Sequence, residues 1–218
     1  MPDTPDATTS GTTVDVIVVG LGPGGEAVAG ALAEAGLSVL GNDQHLVGGE
    51  CPYYGCIPPK MMIRAGNALA EGRWIPGLAV WSQIRADFAP VAARVRSEAT
   101  DGWDDQVAVD RFVGKGGRFV RGTGRLTGPR TVVVGSQAFT ARRAVVLNTG
   151  TAPAVPPVPG LDETPFWTNR DIVRATEAPE SMIVLGGGAV GVEMAQAFAR
   201  FGTGRRLPCG AARHLHRP

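Results

Sequence analysis

A glycine-rich turn between an apolar run and an alanine-rich segment occurs twice in this chain, and it constrains the fold more than any other feature. The first copy reads "VDVIVVG" (14–20), "GLGPGG" (20–25) and "EAVAGALAEAG" (26–36). The second reads "SMIVLG" (181–186), "GGGAVG" (186–191) and "VEMAQAFARFG" (192–202). Short β-branched apolar runs predict strands buried on both faces, and alanine at helical spacing predicts helices. "LSVLG" (37–41) reads as a second strand after the first helix. A strand, a helix and a parallel strand form a β-α-β unit, so the sequence predicts an α/β fold with a doubly wound, three-layer sheet. The duplicated turn predicts the start of a second fold of the same kind.

Between the two turns, residues 60–72 read as a helix, and residues 81–112 read as largely helical with interruptions near Pro90 and Gly102. From 117 to 147 the pattern becomes short β-branched runs split by glycines, which predicts an antiparallel excursion and a return strand. "TAPAVPPVPG" (151–160) is proline-rich and extended, like a linker. The last stretch, "TGRRLPCGAARHLHRP" (203–218), has no β-branched residue beyond Thr203, and no strand is expected there. The expected organisation is therefore a loose leader (1–13), a first domain (14–160), the beginning of a second (161–202) and an unrelated tail (203–218).

A net charge of +1 supplies no field for nucleic acid or anionic membranes. No apolar run approaches the ~20 residues of a membrane span. The polar start "MPDTPDATTSGTT" has no basic or apolar region of a signal peptide, and three cysteines are too few for a secreted disulfide scaffold. These features predict a soluble cytoplasmic protein without nucleic-acid or membrane partners.

Gly20-Leu21-Gly22-Pro23-Gly24-Gly25 fits G-x-G-x-x-G between a strand and a helix. Gly20 permits the tight turn, Gly22 lets the backbone approach a pyrophosphate, and Gly25 permits close helix–strand packing. Phosphates would sit at the helix start, where free N–H groups and the dipole favour anions. Asp43, at the end of the second strand, stands where a carboxylate binds ribose hydroxyls. The bland alternative is a glycine turn with no ligand. In the second turn Gly186, Gly188 and Gly191 repeat the plan, again with a ligand-free turn as the alternative.

"VGGECPYYGCIPPK" (47–60) sets Cys51 and Cys56 behind Gly48-Gly49. Such a pair can be two zinc ligands, an incidental pair or a redox disulfide. Zinc wants further ligands nearby, and His45 alone does not complete a set, so no metal site is expected. The glycines and Pro58-Pro59 point to a constrained loop at a helix start, a setting that stabilises thiolates.

The segment "GGECPYYGCIPPK" resembles the active-site segment of the class I pyridine nucleotide–disulfide oxidoreductases. The family order is a flavin turn, C-x-x-x-x-C, an A-T-G strand end, a P-x-x-P-G link and a second glycine turn with a glutamate. Here the last three read Asn148-Thr149-Gly150, "PPVPG" and "GGGAVGVE". Tyr53-Tyr54 and Glu50 are closer to its mercuric-reductase-like and dihydrolipoamide-dehydrogenase-like branches. The resemblance implies FAD on the first turn, held by Gly20, Gly22, Gly24, Gly25, Asp43, Gly49, Thr149 and Gly150. It implies NAD(P)H on the second turn, and a disulfide or metal-ion substrate. Cys51 would exchange with substrate and Cys56 would face the flavin. Lys60 would sit near flavin N5, paired with Glu193; the bland alternative for each is a solvated surface residue.

Two departures are expected to loosen packing around the flavin: Pro59 where serine is usual, and Gly41-Asn42 within the second strand. The resemblance stops after "ARFG", as a frameshift or truncation would produce. On that reading the rest of the NAD(P)H domain and the dimerisation domain of the family homodimer are missing. That domain's His-Glu pair is not matched by His45, His214 or His216, and Cys209 is an unspecialised thiol. The rival reading is a non-catalytic flavin-binding remnant. A plain NAD-dependent dehydrogenase leaves the cysteine pair without a role.

Overall fold

The computed structural model describes residues 11–78, 81 and 83–206. The leader up to residue 10, and Cys209, His214 and His216 of the tail, lie outside the described residues. The described chain divides into two compact units, one within Met1–Cys51 and Asp104–Ala152, the other within Pro52–Trp103 and Pro153–Pro218.

In the first unit, β1 (Thr12–Val19) leads through the glycine turn into α1 (Pro23–Glu34) and then β2 (Val39–Asp43). The first strand begins two residues before its sequence expectation, because Thr12 and Thr13 already pair with the return strand. The six-stranded sheet has the order β3-β2-β1-β6-β5-β4. Its members β3 (Arg118–Arg121), β2, β1 and β6 (Gln137–Leu147) run parallel. Strands β4 (Gly124–Gly128) and β5 (Thr131–Val134) form the antiparallel excursion before the return.

Side chains alternate along a strand, so β1 serves two cores. Val16 and Val18 pack with Ala29 and Ala33 of α1 and with Phe112 of α4 (Gln106–Gly114), while Ile17 and Val19 pack with Val132, Val134 and Phe139. Within β2 itself, Gly41-Asn42 is closely packed. A Cβ at Gly41 would lie 2.7 Å from Phe112 Cε1 and 2.9 Å from Leu21 Cδ1, so those side chains fill the space. Asn42 is buried, and its Nδ2 donates to the carbonyls of Val120 (3.0 Å) and Gly122 (2.8 Å).

The second unit contains α2 (Ile57–Trp74), α3 (Ala89–Arg94), α5 (Asn169–Ile172), β7 (Ser181–Ile183), α6 (Ala189–Arg200) and β8 (Gly204–Arg206). Gly66 of α2 lets α6 approach: a Cβ there would meet Arg200 Cδ at 3.3 Å and Ala197 Cα at 3.7 Å. Met62, Phe88, Val95, Ile172, Met194 and Phe198 belong to one buried cluster, with the Phe88 ring 5.0 Å from Phe198 and 5.1 Å from Phe201.

Three expectations are corrected. Pro90 starts a helix instead of interrupting one, because a proline in the first turn lacks only an N–H that has no helical partner there, while Pro58-Pro59 stand at a helix start as expected. Residues 83–88 are not helical, and the later break does fall at Gly102, whose φ is +68°. A strand also exists where none was legible: β8 pairs in parallel with β7. Backbone hydrogen bonds carry that pairing, so it needs no β-branched side chains. β7, α6 and β8 thus form a second β-α-β unit behind the second glycine turn.

Candidate active site

The two glycine turns share one backbone plan. Gly20 has φ +92° and Gly186 has φ +106°, a region that L side chains rarely adopt. Gly22 (φ −65°, ψ −177°) and Gly188 (φ −73°, ψ 168°) are extended residues that cap the following helices. A Cβ on Gly25 would lie 2.0 Å from the Gly20 carbonyl oxygen, and one on Gly191 would lie 3.0 Å from that of Gly186. Each helix start therefore presses its own strand end. Neither cap residue has a side chain that could accept from the first-turn N–H groups of its helix.

The first turn is braced on three sides within its unit. The Leu21 N–H donates to Asp43 Oδ2 at 2.7 Å, and the His45 N–H donates to Asp43 Oδ1 at 2.8 Å. Each carboxylate oxygen accepts one backbone N–H and keeps a lone-pair site for a further donor. The Gly48 N–H donates to the Leu21 carbonyl at 2.7 Å, and Gly49 (φ +65°) lies so close that its Cβ would come within 2.8 Å of Gly22 Cα. The loop entering Cys51 is thereby docked on the turn. Asp105 fastens the same loop: its Oδ2 accepts from the Val47 N–H at 2.6 Å and from Arg121 Nη2 at 2.6 Å.

The third brace is Asn148, at the end of β6. Its N–H donates to the Val19 carbonyl at 2.8 Å, and its carboxamide lies over the turn. A Cβ on Gly22 would be 3.3 Å from Asn148 Nδ2, and one on Gly24 would be 3.0 Å from Asn148 Oδ1. In the sequence this residue stood out only as part of the strand-end motif, with no role at the turn assigned to it. The available signal was an asparagine where the family strand end has alanine. Thr149 and Gly150, which were singled out, follow it and are exposed.

Cys51 to Gly55 form one π-helical turn, and Cys56 occupies the cap position of α2. A π-helical turn closes from residue i to i+5, the spacing of the two cysteines, and so brings such positions one above the other. Both cysteines are partly exposed. Lys60 and Glu193 are both exposed, and among the described residues no ion pair joins them. The expected pairing is absent because α2 and α6 meet through Gly66 and Ala197, not through Lys60 and Glu193. No helix among the described residues is long and apolar enough to cross a membrane.

Residues 14–210 match the family described as pyridine nucleotide-disulphide oxidoreductase. The chain belongs to that family. The match extends past Gly202, where the resemblance was expected to stop. Among similar proteins, mercuric reductase of Acidithiobacillus ferrooxidans is 30% identical over 210 residues, covering 92% of this chain and 38% of that relative. Mercuric reductase of Shigella flexneri is 33% identical over 199 residues, covering 84% of the chain and 34% of the relative. Dihydrolipoyl dehydrogenase of Acholeplasma laidlawii is 29% identical over 199 residues, covering 87% and 57%. The chain thus spans between 34% and 57% of the length of these relatives. A solved structure, the Cu(II) complex of HOCl-induced flavoprotein disulfide reductase RclA from Escherichia coli, superposes with a TM-score of 0.77. It is 24% identical, over 90% of this chain and 42% of that one, and shows the shared fold.

Proposed function

We propose that this chain carries the FAD-binding turn and the redox dithiol of an NAD(P)H-linked disulfide oxidoreductase. The observation that carries the reading is the docking of Gly49 on Gly22, which ties the loop entering Cys51 to the phosphate-binding turn. The residues fit the cofactor: Gly20 and Gly25 leave no room for side chains, and around Gly22 a Cβ would meet only Asn148 within 4 Å. Bound FAD supplies a two-electron carrier between a reduced nicotinamide and the dithiol.

The chain's own residues supply the rest. First-turn N–H groups of α1 would hold the pyrophosphate and Asp43 would orient the ribose, and the family resemblance assigns Lys60 the task of stabilising negative charge on the reduced flavin. Gly186, Gly188 and Gly191, with Glu193, serve the nicotinamide cofactor in the second unit. In the direction of disulfide reduction, the Cys51 thiolate attacks one sulfur of the substrate disulfide and expels the first thiolate. Cys56 then attacks the mixed disulfide, expels the second thiolate and leaves a Cys51–Cys56 bridge. Two electrons pass to substrate, and two protons go with them to the released thiols. The substrate is a small-molecule or protein disulfide; a metal ion is the alternative that the mercuric reductases favour.

The test is a pair of measurements on the 218-residue chain. FAD added to the purified protein is expected to bind with saturable quenching of flavin fluorescence. Oxidised glutathione is expected to yield a peptide linking Cys51 to Cys56, reversed by dithiothreitol. Saturable binding without that linkage supports the flavin-binding remnant instead, and neither result supports any redox role.

A further inference from the structure

We infer that Arg174 is a positioning residue for the dithiol, acting through Tyr54 to hold the turn between Cys51 and Cys56 in its closed form. The inference rests on the dithiol reading above.

Tyr53 and Tyr54 occupy the middle of the Cys51–Gly55 turn, and both are fastened within the second unit. Arg174 Nη2 donates to the Tyr54 hydroxyl at 2.7 Å, and its guanidinium lies 5.3 Å from the centre of the Tyr54 ring. The same guanidinium lies 4.9 Å from the Trp103 ring, so one cation joins two aromatic groups. Trp103 Nε1 in turn donates to the Tyr53 carbonyl at 3.3 Å. A third contact comes from Arg170, 5.4 Å from the Tyr54 ring centre.

The clamp has a firm base. Arg174 directly follows Ile172 and Val173, both buried in the core of the second unit. The short helix that ends at Ile172 opens with reciprocal hydrogen bonds between Thr168 and Asp171. On the other side, Asp101, Gly102 and Trp103 all have positive φ (+49°, +68°, +63°). For Asp and Trp this conformation costs about 1 kcal/mol or more each. It persists where the indole donates to the turn.

Arg174 is exposed, so water screens its charge and its effect on the thiols is geometric rather than coulombic. A disulfide needs its Cα atoms about 4.4–6.8 Å apart. A π-helical turn held closed keeps positions 51 and 56 one turn apart; a released turn samples open conformers. The effective concentration of one thiol at the other then falls. The affected equilibrium is protein dithiol plus glutathione disulfide giving protein disulfide plus two glutathione, which moves two electrons and conserves both protons.

The experiment measures this equilibrium in a Cys209→Ser background, with the thermal midpoint of each variant measured alongside. Arg174→Gln is expected to lower the bridging constant about tenfold, equivalent to a potential about 30 mV higher. Tyr54→Phe, which keeps the ring but loses the hydroxyl, is expected to fall about threefold, and Arg174→Lys, which keeps a cation without the planar fork, should recover part of the loss. A bridging constant within twofold of the parent in Arg174→Gln overturns the inference, whatever happens to the midpoint temperature. Should that variant not fold, an unchanged constant in both Tyr54→Phe and Arg174→Lys overturns it equally. If the parent itself forms no Cys51–Cys56 bridge, the dithiol reading and this inference fail together; a parent bridge that ignores Arg174 removes the inference alone.

Discussion

Replacing Gly22 by alanine separates the fold of the glycine turn from its ligand. Gly22 has φ −65°, an ordinary value for any residue, so alanine brings no backbone strain. Its Cβ would meet only Asn148 Nδ2, at 3.3 Å, at the end of a side chain that can shift by a few tenths of an ångström. Alanine is a poorer helix cap than glycine by roughly 0.5–1 kcal/mol. At ~2–4 °C per kcal/mol for a chain of this size, the apoprotein should melt no more than about 4 °C lower. The ligand fares worse. A methyl group on Gly22 stands where a pyrophosphate must approach the helix start. Losing two charge-assisted hydrogen bonds at about 1.5–3 kcal/mol each predicts an affinity for FAD about 10²–10⁴-fold lower. Flavin fluorescence titration reads the affinity, and circular dichroism reads the melt. FAD binding within threefold of the parent would show that the turn does not hold the pyrophosphate. A melting point lower by ten degrees or more would refute the packing argument.

Gly20→Ala should do the opposite and damage the fold, since its Cβ would lie 2.1 Å from the Asn148 carbonyl oxygen at φ +92°. Left-handed backbone at about 1–2 kcal/mol and overpacking at about 1–3 kcal/mol predict a loss of about 2–5 kcal/mol in urea unfolding; a loss below 1 kcal/mol would refute it. Asp105→Ala leaves the Val47 N–H without its acceptor, while Arg121, partly exposed, is rehydrated; the expected cost is about 1–3 kcal/mol by the same assay, and a smaller cost would show that Asp105 is not the fastening. The Asp15 carboxyl is held down to about 2 by hydrogen bonds from the Ser38 hydroxyl and N–H, with Arg142 beside it. A lowered folded-state value stabilises above the unfolded pKa of about 3.9, and the benefit is lost as pH falls toward 2. Asp15→Asn should therefore be less stable than the parent at pH 6 and indistinguishable from it near pH 2; a deficit independent of pH would contradict the assignment.

The glycine turns were legible in the sequence because their demands are local. A positive φ at Gly20 and contact between Gly25 and the Gly20 carbonyl follow from bending a strand straight into a helix. Asp43 was legible for the same reason, as the end of the next strand. Asn148 was not, because its contact with the turn depends on β6 returning beside β1, a pairing across more than a hundred residues. The partners of Gly41-Asn42, namely Phe112 and the carbonyls of Val120 and Gly122, were hidden for the same reason, since they too are distant in sequence. Pro90 misled differently: it was read as a break, though the first turn of a helix tolerates proline. Lys60 and Glu193 show the limit of carrying a pair over by resemblance. Both positions match the family pattern, yet their side chains are exposed and unpaired with each other. The clamp of Arg174 on Tyr54 joins residues 120 positions apart, beyond the reach of any spacing rule.

The central claim is that this chain couples a bound flavin to the Cys51–Cys56 pair, and an anaerobic reductive titration tests it most directly. The FAD-loaded protein, with Cys209→Ser to remove the third thiol, is titrated with dithionite, and electrons taken up per flavin are counted. The account predicts about four electrons for this protein, two for the flavin and two for the disulfide, and about two when Cys56→Ser is added. Two electrons in both proteins would contradict it.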